Sequence, residues 1–190
     1  MKKIMFNDQY GLTQAVLDGR KTMTRRIANP ATDKQISFGN VNKEWYEDEK
    51  GNIYIPIYEV GEVIAIAMSY EHIFYELHCA LPEECSTGAG WNNKMFVKSE
   101  YMPYKIKVTN VMVEPLQNIS DVDCLKEGIW KGKVGSLETH YMDAYYPYKS
   151  SLEPCCTPRD AFELLIDKVS GKGTWNSNPI TWVYEFELTN

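Results

Sequence analysis

The chain has 190 residues, 44% hydrophobic and 13% aromatic, with a formal net charge of −6. Length and composition exclude a disordered chain and a mini-protein that needs a disulfide or metal staple. The acidic balance excludes a protein that coats nucleic acid non-specifically.

Lys3–Phe6 is a short apolar run and reads as a first strand. Asn7 or Asp8 can cap a helix over residues 8–18, where Leu12, Ala15, Val16 and Gly19 keep helical spacing and Gly19 suits the position after the last turn. Lys21 to Ile27 enters a strand after a turn. Residues 28–56 read as an insertion, with a hairpin of Trp45-Tyr46 against Ile53-Tyr54-Ile55 across Lys50-Gly51-Asn52. Val63 to Met68 is almost wholly apolar and is expected to be the most buried strand. A short helix over 70–79 and a loop over 80–93 come next, then a strand over Lys94–Val97. Tyr104 to Val113 alternates as a half-buried strand does. Ser120 with Asp123 resembles a capping box for a short helix ending at Gly128. Residues 130–156 read as a second, irregular insertion rich in tyrosine. Thr157-Pro158 is a strong helix start, with Phe162, Leu165, Ile166 and Val169 on one face, and Gly171 and Gly173 end it. Ile180, Trp182, Tyr184, Phe186 and Leu188 alternate as a last strand. This order predicts one α+β domain over 1–190 with a mixed or barrel-like sheet.

The five cysteines, Cys79, Cys85, Cys124, Cys155 and Cys156, have no signal-peptide pattern ahead of them. No segment approaches the ~18 apolar residues of a membrane span. A reduced, cytoplasmic protein without a membrane partner is expected. Cys155 and Cys156 are adjacent and no C-x-x-C pair exists, so no metal site and no cofactor is expected.

Charge is polarised along the chain. Residues 1–26 carry six cations against two acids, residues 94–107 four against one, and residues 44–76 one lysine against eight acids. The densest basic stretch is Gly19-Arg20-Lys21-Thr22-Met23-Thr24-Arg25-Arg26. A threonine hydroxyl is a weak nucleophile that needs a base, and a lysine whose pKa is lowered by burial or by neighbouring cations can serve. Residues three apart on a strand point to opposite faces, so Lys21 and Thr24 converge only if a turn or bulge intervenes. The alternative is a solvated basic strand edge, which sheets favour for their own protection. Arg26 is the expected anion contact, while Arg20 and Arg25 read as solvated. Glu127 sits near a helix C-terminus, where the macrodipole disfavours a carboxylate. It is either a surface residue or a carboxylate placed to work as an acid, to orient Lys21 or to bind a base edge. Trp175 and Asn178 stand between the last helix and the last strand. There the indole either stacks a nucleobase, with Asn178 hydrogen-bonding it, or covers the core. No Ser/His/Asp arrangement, Walker A or G-x-G-x-x-G pattern appears.

Gly19-x-Lys21-x-x-Thr24-x-Arg26 after a short helix resembles the signature of the ASCH domain, a PUA-like fold. Val60-Gly61-Glu62-Val63-Ile64 is similar to the turn and strand that follow that signature. Leu116-Gln117-Asn118-Ile119-Ser120 through Lys126-Glu127-Gly128-Ile129 resembles a later block of the family. Phe162–Ile166, Gly171–Pro179 and Trp182–Phe186 resemble the ending of its phage and prophage branch. The resemblance covers most of the chain outside 28–56 and 130–156. It implies a PUA-like mixed β-barrel with surrounding helices around a cleft that binds RNA or a nucleoside or nucleotide, with Gly19, Arg26, Trp175 and Asn178 as ligand-binding candidates. One branch of small bacterial members is an amidohydrolase that deacylates N(4)-acetylcytidine. By that resemblance Thr24 is the nucleophile, Lys21 its activator and Glu127 the proton carrier or orienter. The chain departs from that branch in its length, its two insertions and its phage-type ending. A phage-derived module that binds a protein through the inserted aromatic segments is a third expectation.

Overall fold

The structure, a computed structural model, describes residues 1–31, 45–138 and 140–189. It is a mixed α+β fold built on a five-stranded sheet. The strands are β1 (Lys3–Ile4), β5 (Val63–Ile66), β6 (Lys105–Pro115), β9 (Ile180–Thr189) and β2 (Met23–Ile27), in that spatial order. β1 and β5 are parallel and the other pairs antiparallel. Two separate hairpins are β3 (Tyr46–Glu47) with β4 (Ile53–Tyr54), and β7 (Trp130–Val134) with β8 (Met142–Tyr146).

The apolar run expected to be most buried is β5, where Ile64, Ala65 and Ile66 are fully buried. β9 departs from simple alternation, because Thr181 and Val183 are as buried as Trp182 and Tyr184. It lies between β6 and β2, with both of its faces covered. A bulge between Val108 and Asn110 of β6 shifts the register against β9, which bends and twists the pair.

The first helix is shorter than its pattern suggests. α1 runs Leu12–Leu17, because Gly11 adopts φ +63° in a turn that hydrogen-bonds back to Asp8. The Asp8 carboxylate instead accepts from the Thr13 hydroxyl and from the Lys94 ammonium. Lys94–Phe96, expected as a strand, forms one 3₁₀ turn capped by the Asn93 side chain. The helices α2 (Tyr70–Tyr75) and α3 (Glu83–Thr87) follow β4 and β5, and α3 falls in a segment expected to be loop. The segment 130–156, expected to be irregular, contains the β7–β8 hairpin. Its period of two is visible in Trp130, Gly132 and Val134 alternating with Lys131 and Lys133, and Lys131 pairs across to Asp143 at 2.7 Å. The other insertion holds the expected hairpin, closed by Asp48, whose carboxylate accepts from the Lys50 and Asn52 amides. Its residues 32–44 lie outside the described residues.

α4 (Asp121–Lys126) starts at Ser120, whose hydroxyl accepts the Asp123 amide. α5 (Pro158–Ser170) starts the same way at Thr157, and buries Ala161, Phe162, Leu165 and Ile166. α6 (Thr174–Ser177) is held against α5 by Asp167, whose carboxylate accepts the Gly173 and Trp175 amides at 2.8 Å each. Among the described residues no helix is long and apolar enough to cross a membrane. All five cysteines are free thiols.

Candidate functional site: a cleft at two helix ends

Two helices end at glycines and meet at one point. α1 closes at Gly19, with φ +72°; the Gly19 amide donates to the Val16 carbonyl, and the Arg20 and Lys21 amides to that of Ala15. α4 closes at Gly128, with φ +101°; its amide donates to the Leu125 carbonyl, and the Ile129 amide to that of Cys124. Both are Schellman closures, which satisfy carbonyls that a helix end leaves free. The first releases the chain so that Lys21 stands just ahead of β2. The second leaves Glu127 as the residue that caps the C-terminus of α4.

Lys21 and Glu127, 106 residues apart, meet there in the interior. The Lys21 ammonium donates to Glu127 Oε2 at 2.6 Å and to the Glu127 backbone carbonyl at 2.8 Å. The second bond explains how a carboxylate tolerates the negative end of a helix. The cation sits on the terminal carbonyl itself and offsets the dipole. Both side chains are buried, at 3% and 5% exposure. Burial pulls the Lys21 amine below its ordinary value, with Arg26 and Arg25 adding to the shift; Glu127 opposes it.

Glu127 has a second buried partner. Arg25 Nη1 donates to Glu127 Oε1 at 3.2 Å, and Nη2 to Glu114 Oε1 at 2.6 Å, with Asp123 Oδ2 at 3.9 Å. The reading of Arg25 as solvated is corrected here, because its side chain is 1% exposed. A signal for it exists in the sequence. Asp123 and Glu127 are four apart on α4 and so share a face, which the edge strand β2 meets. Arg20 is likewise partly covered, pairing with Asp18 and lying 4.9 Å over the Trp130 ring.

Thr24 and Arg26 are two apart on β2 and share its other face. With Lys21 and Glu127 they line a cleft of about 310 Å³. Its apolar wall comes from Phe6, Leu12 and the α5 residues Phe162, Leu165, Ile166 and Val169. The turn at Gly19 removes the obstacle that strand geometry sets for Lys21 and Thr24, because Lys21 precedes the strand. Thr24 is buried, and its hydroxyl makes no hydrogen bond among the described residues.

The other candidates lie elsewhere. Gly19 does not line the cleft; it acts through its backbone. Trp175 is 7% exposed, stands edge-on to Phe162 with ring centroids 6.2 Å apart, and carries the Arg159 guanidinium over its ring. It therefore backs the cleft wall from one layer behind. Asn178 Oδ1 accepts the Gln117 amide at 2.8 Å and joins the turn before β9 to the segment before α4. Among the described residues no group of three or more His, Cys, Asp or Glu is placed to hold a metal. No family model, no curated protein and no solved structure matches the chain.

Proposed function

We propose that the chain is an ASCH-type protein of PUA-like fold that binds a nucleoside, free or at an RNA end, in the Lys21–Thr24–Glu127 cleft. The observation that carries this reading is convergence. Four polar residues from two segments a hundred residues apart face one apolar wall across about 310 Å³. That volume is at the small end of ligand sites, which suits one nucleoside and not a duplex. A base rests on Phe162 and Leu165, and the polar floor reads its edge and sugar. The net charge of −6 agrees with a small ligand, since long nucleic acids demand many phosphate contacts.

The test is calorimetric titration with cytidine, uridine, adenosine and guanosine, beside a variant that fills the cleft mouth. Val169 lines the cleft and is 38% exposed on α5, so Val169→Trp narrows the site at little structural cost. Saturable binding by wild type and a loss of at least tenfold in Val169→Trp are expected. No binding of any nucleoside at millimolar concentration, or an unaffected Val169→Trp, would sink the reading.

A second reading is favoured by one pairing of facts. Among the described residues the Thr24 hydroxyl has no hydrogen-bond partner, and burial lowers the pKa of the Lys21 amine. A free hydroxyl and a lowered amine in one cleft are two of the parts of an activated nucleophile; the third, a hydrogen bond between them, forms in this reading as the ligand enters. In that reading the ligand is an N(4)-acylated cytidine. Lys21 first passes a proton to Glu127 along their hydrogen bond; Thr24 Oγ then attacks the acyl carbon and its proton passes to the Lys21 amine so freed. The C–N bond breaks as Lys21, relayed by Glu127, protonates the departing exocyclic nitrogen. Water then hydrolyses the acyl-threonine to the free acid. Chromatography of N(4)-acetylcytidine incubated with the protein is expected to show cytidine with wild type and none with Thr24→Val. Equal turnover by both, or none by wild type at high concentration, removes the hydrolase.

A further inference from the structure

The cations at the cleft are unequally partnered. Lys21 and Arg25 share the Glu127 carboxylate, and Arg25 also holds Glu114. Arg26 makes no ion pair among the described residues. Its one hydrogen bond runs from Nη2 to the Met5 carbonyl at 2.5 Å, and its Nε is buried without an acceptor. The two phenols in its field are already engaged. The Tyr184 hydroxyl accepts the Ile57 amide, and the Tyr58 hydroxyl donates to the Lys3 carbonyl. The guanidinium is set 5.8 Å from the Phe6 ring. A guanidinium has five N–H donors, and that of Arg26 is half-buried, with its Nε inside and its far end reaching the open side of the cleft. Arg26 shares a strand face with Thr24, so its unmet donors belong to the same cleft.

We infer that the cleft's ligand is an anion whose phosphate is received by Arg26, so the site takes a nucleoside monophosphate in preference to an uncharged nucleoside. This rests on the nucleoside reading of the cleft. The guanidinium fork matches two phosphate oxygens, and the bound anion supplies the ion pair that no described carboxylate makes with Arg26, since Glu127 acts on it only through space and is paired to Lys21 and Arg25. The phosphate of a free mononucleotide and the terminal phosphate of an RNA share this chemistry, whereas an internal phosphodiester offers one charge and no free end.

The experiment is a set of titrations of wild type, Arg26→Gln and Arg26→Lys with cytidine, cytidine 5′-monophosphate, inorganic phosphate, and eight-residue oligocytidylates with and without a 5′-phosphate. Wild type is expected to bind the monophosphate at least tenfold more tightly than cytidine. Arg26→Gln is expected to bring that ratio to within twofold of unity, and Arg26→Lys, which keeps the charge but loses the fork, to retain part of it. The 5′-phosphorylated oligomer should show the same dependence on Arg26. Equal affinity for cytidine and its monophosphate in wild type overturns the inference, as does a ratio that survives in Arg26→Gln. A preference for the oligomer regardless of its 5′ end overturns it too, because the anion is then an internal phosphate. Inorganic phosphate separates the two readings. Arg26-dependent binding of phosphate with no binding of any nucleoside supports the anion site while removing the nucleoside reading. Binding of cytidine with no added contribution from phosphate does the reverse.

Discussion

Glu127→Gln is the substitution that tests the buried cluster most directly. It keeps the shape of the side chain and deletes the charge that two cations share. Arg25 retains Glu114 at 2.6 Å, so the uncompensated group is Lys21. Breaking a buried ion pair by removing one partner costs about 3–5 kcal/mol. The lower end is expected here, about 3 kcal/mol at pH 6, because Lys21 keeps the Glu127 backbone carbonyl as an acceptor. The sign of the pH dependence follows from Lys21. Its folded pKa lies below its ordinary value of 10.5, so between the two the unfolded chain binds more protons and stability rises with pH. Glu127 is the group that holds the folded value up, and without it the window opens at lower pH. The deficit of Glu127→Gln relative to wild type should therefore shrink as pH rises from 6 toward the ordinary lysine value of 10.5. Urea denaturation across that range measures it, and taking the difference from wild type removes the other titrating groups. A deficit below about 1 kcal/mol at pH 6, or one that stays constant up to pH 10.5, would refute the reasoning. Lys21→Met combined with Glu127→Gln should then cost less than the sum of the single variants, since neither buried group is left facing an empty site.

Gly19→Ala meets no atom within 4 Å of the added carbon, so its whole cost is the positive φ, about 1–2 kcal/mol; thermal melting should show that loss together with weaker nucleoside binding, because Lys21 follows the same turn. Trp175→Ala should lower stability by about 3–5 kcal/mol, with cytidine affinity of the folded protein changed less than threefold, since the indole stands behind Phe162; a loss of affinity without loss of stability would restore Trp175 as a ligand contact. The Cys124 thiol is fully buried and its pKa is pushed up to about 12 by burial. A thiol-reactive dye at pH 8 should therefore label exposed Cys156 within minutes and Cys124 only after denaturation.

Much of the scaffold is written in local patterns. The two capping hydroxyls, Ser120 and Thr157, the apolar run of β5 and the glycines after α1 and α5 each act within a few residues, so spacing alone places them. The site was only half visible for a related reason. Lys21, Thr24 and Glu127 stand out by composition and by family resemblance, but their convergence depends on two helix ends meeting, which no local pattern encodes. Arg25 looked solvated because its partners, Glu114, Asp123 and Glu127, come from elements about ninety to a hundred residues away. For Trp175 and Asn178 the sequence leaves open a base contact or a cover over the core, because nothing local says how the turn before β9 is held. Asp167 pulls that turn onto α5. The β7–β8 hairpin was missed because two glycines and a run of tyrosines hid an alternation only five residues long.

The helices that deliver Lys21 and Glu127 have six residues each. Helices so short do not hold their shape in water alone; isolated ones need roughly 12–15 residues to be even marginal. α1 and α4 therefore exist because they are docked, and the lysine–glutamate contact between their ends is part of that docking. Assembly of the site and completion of the fold are then a single cooperative event. A chain with the cleft half built is not a populated state, and the amides of both helices should exchange with solvent at one common rate, that of global opening.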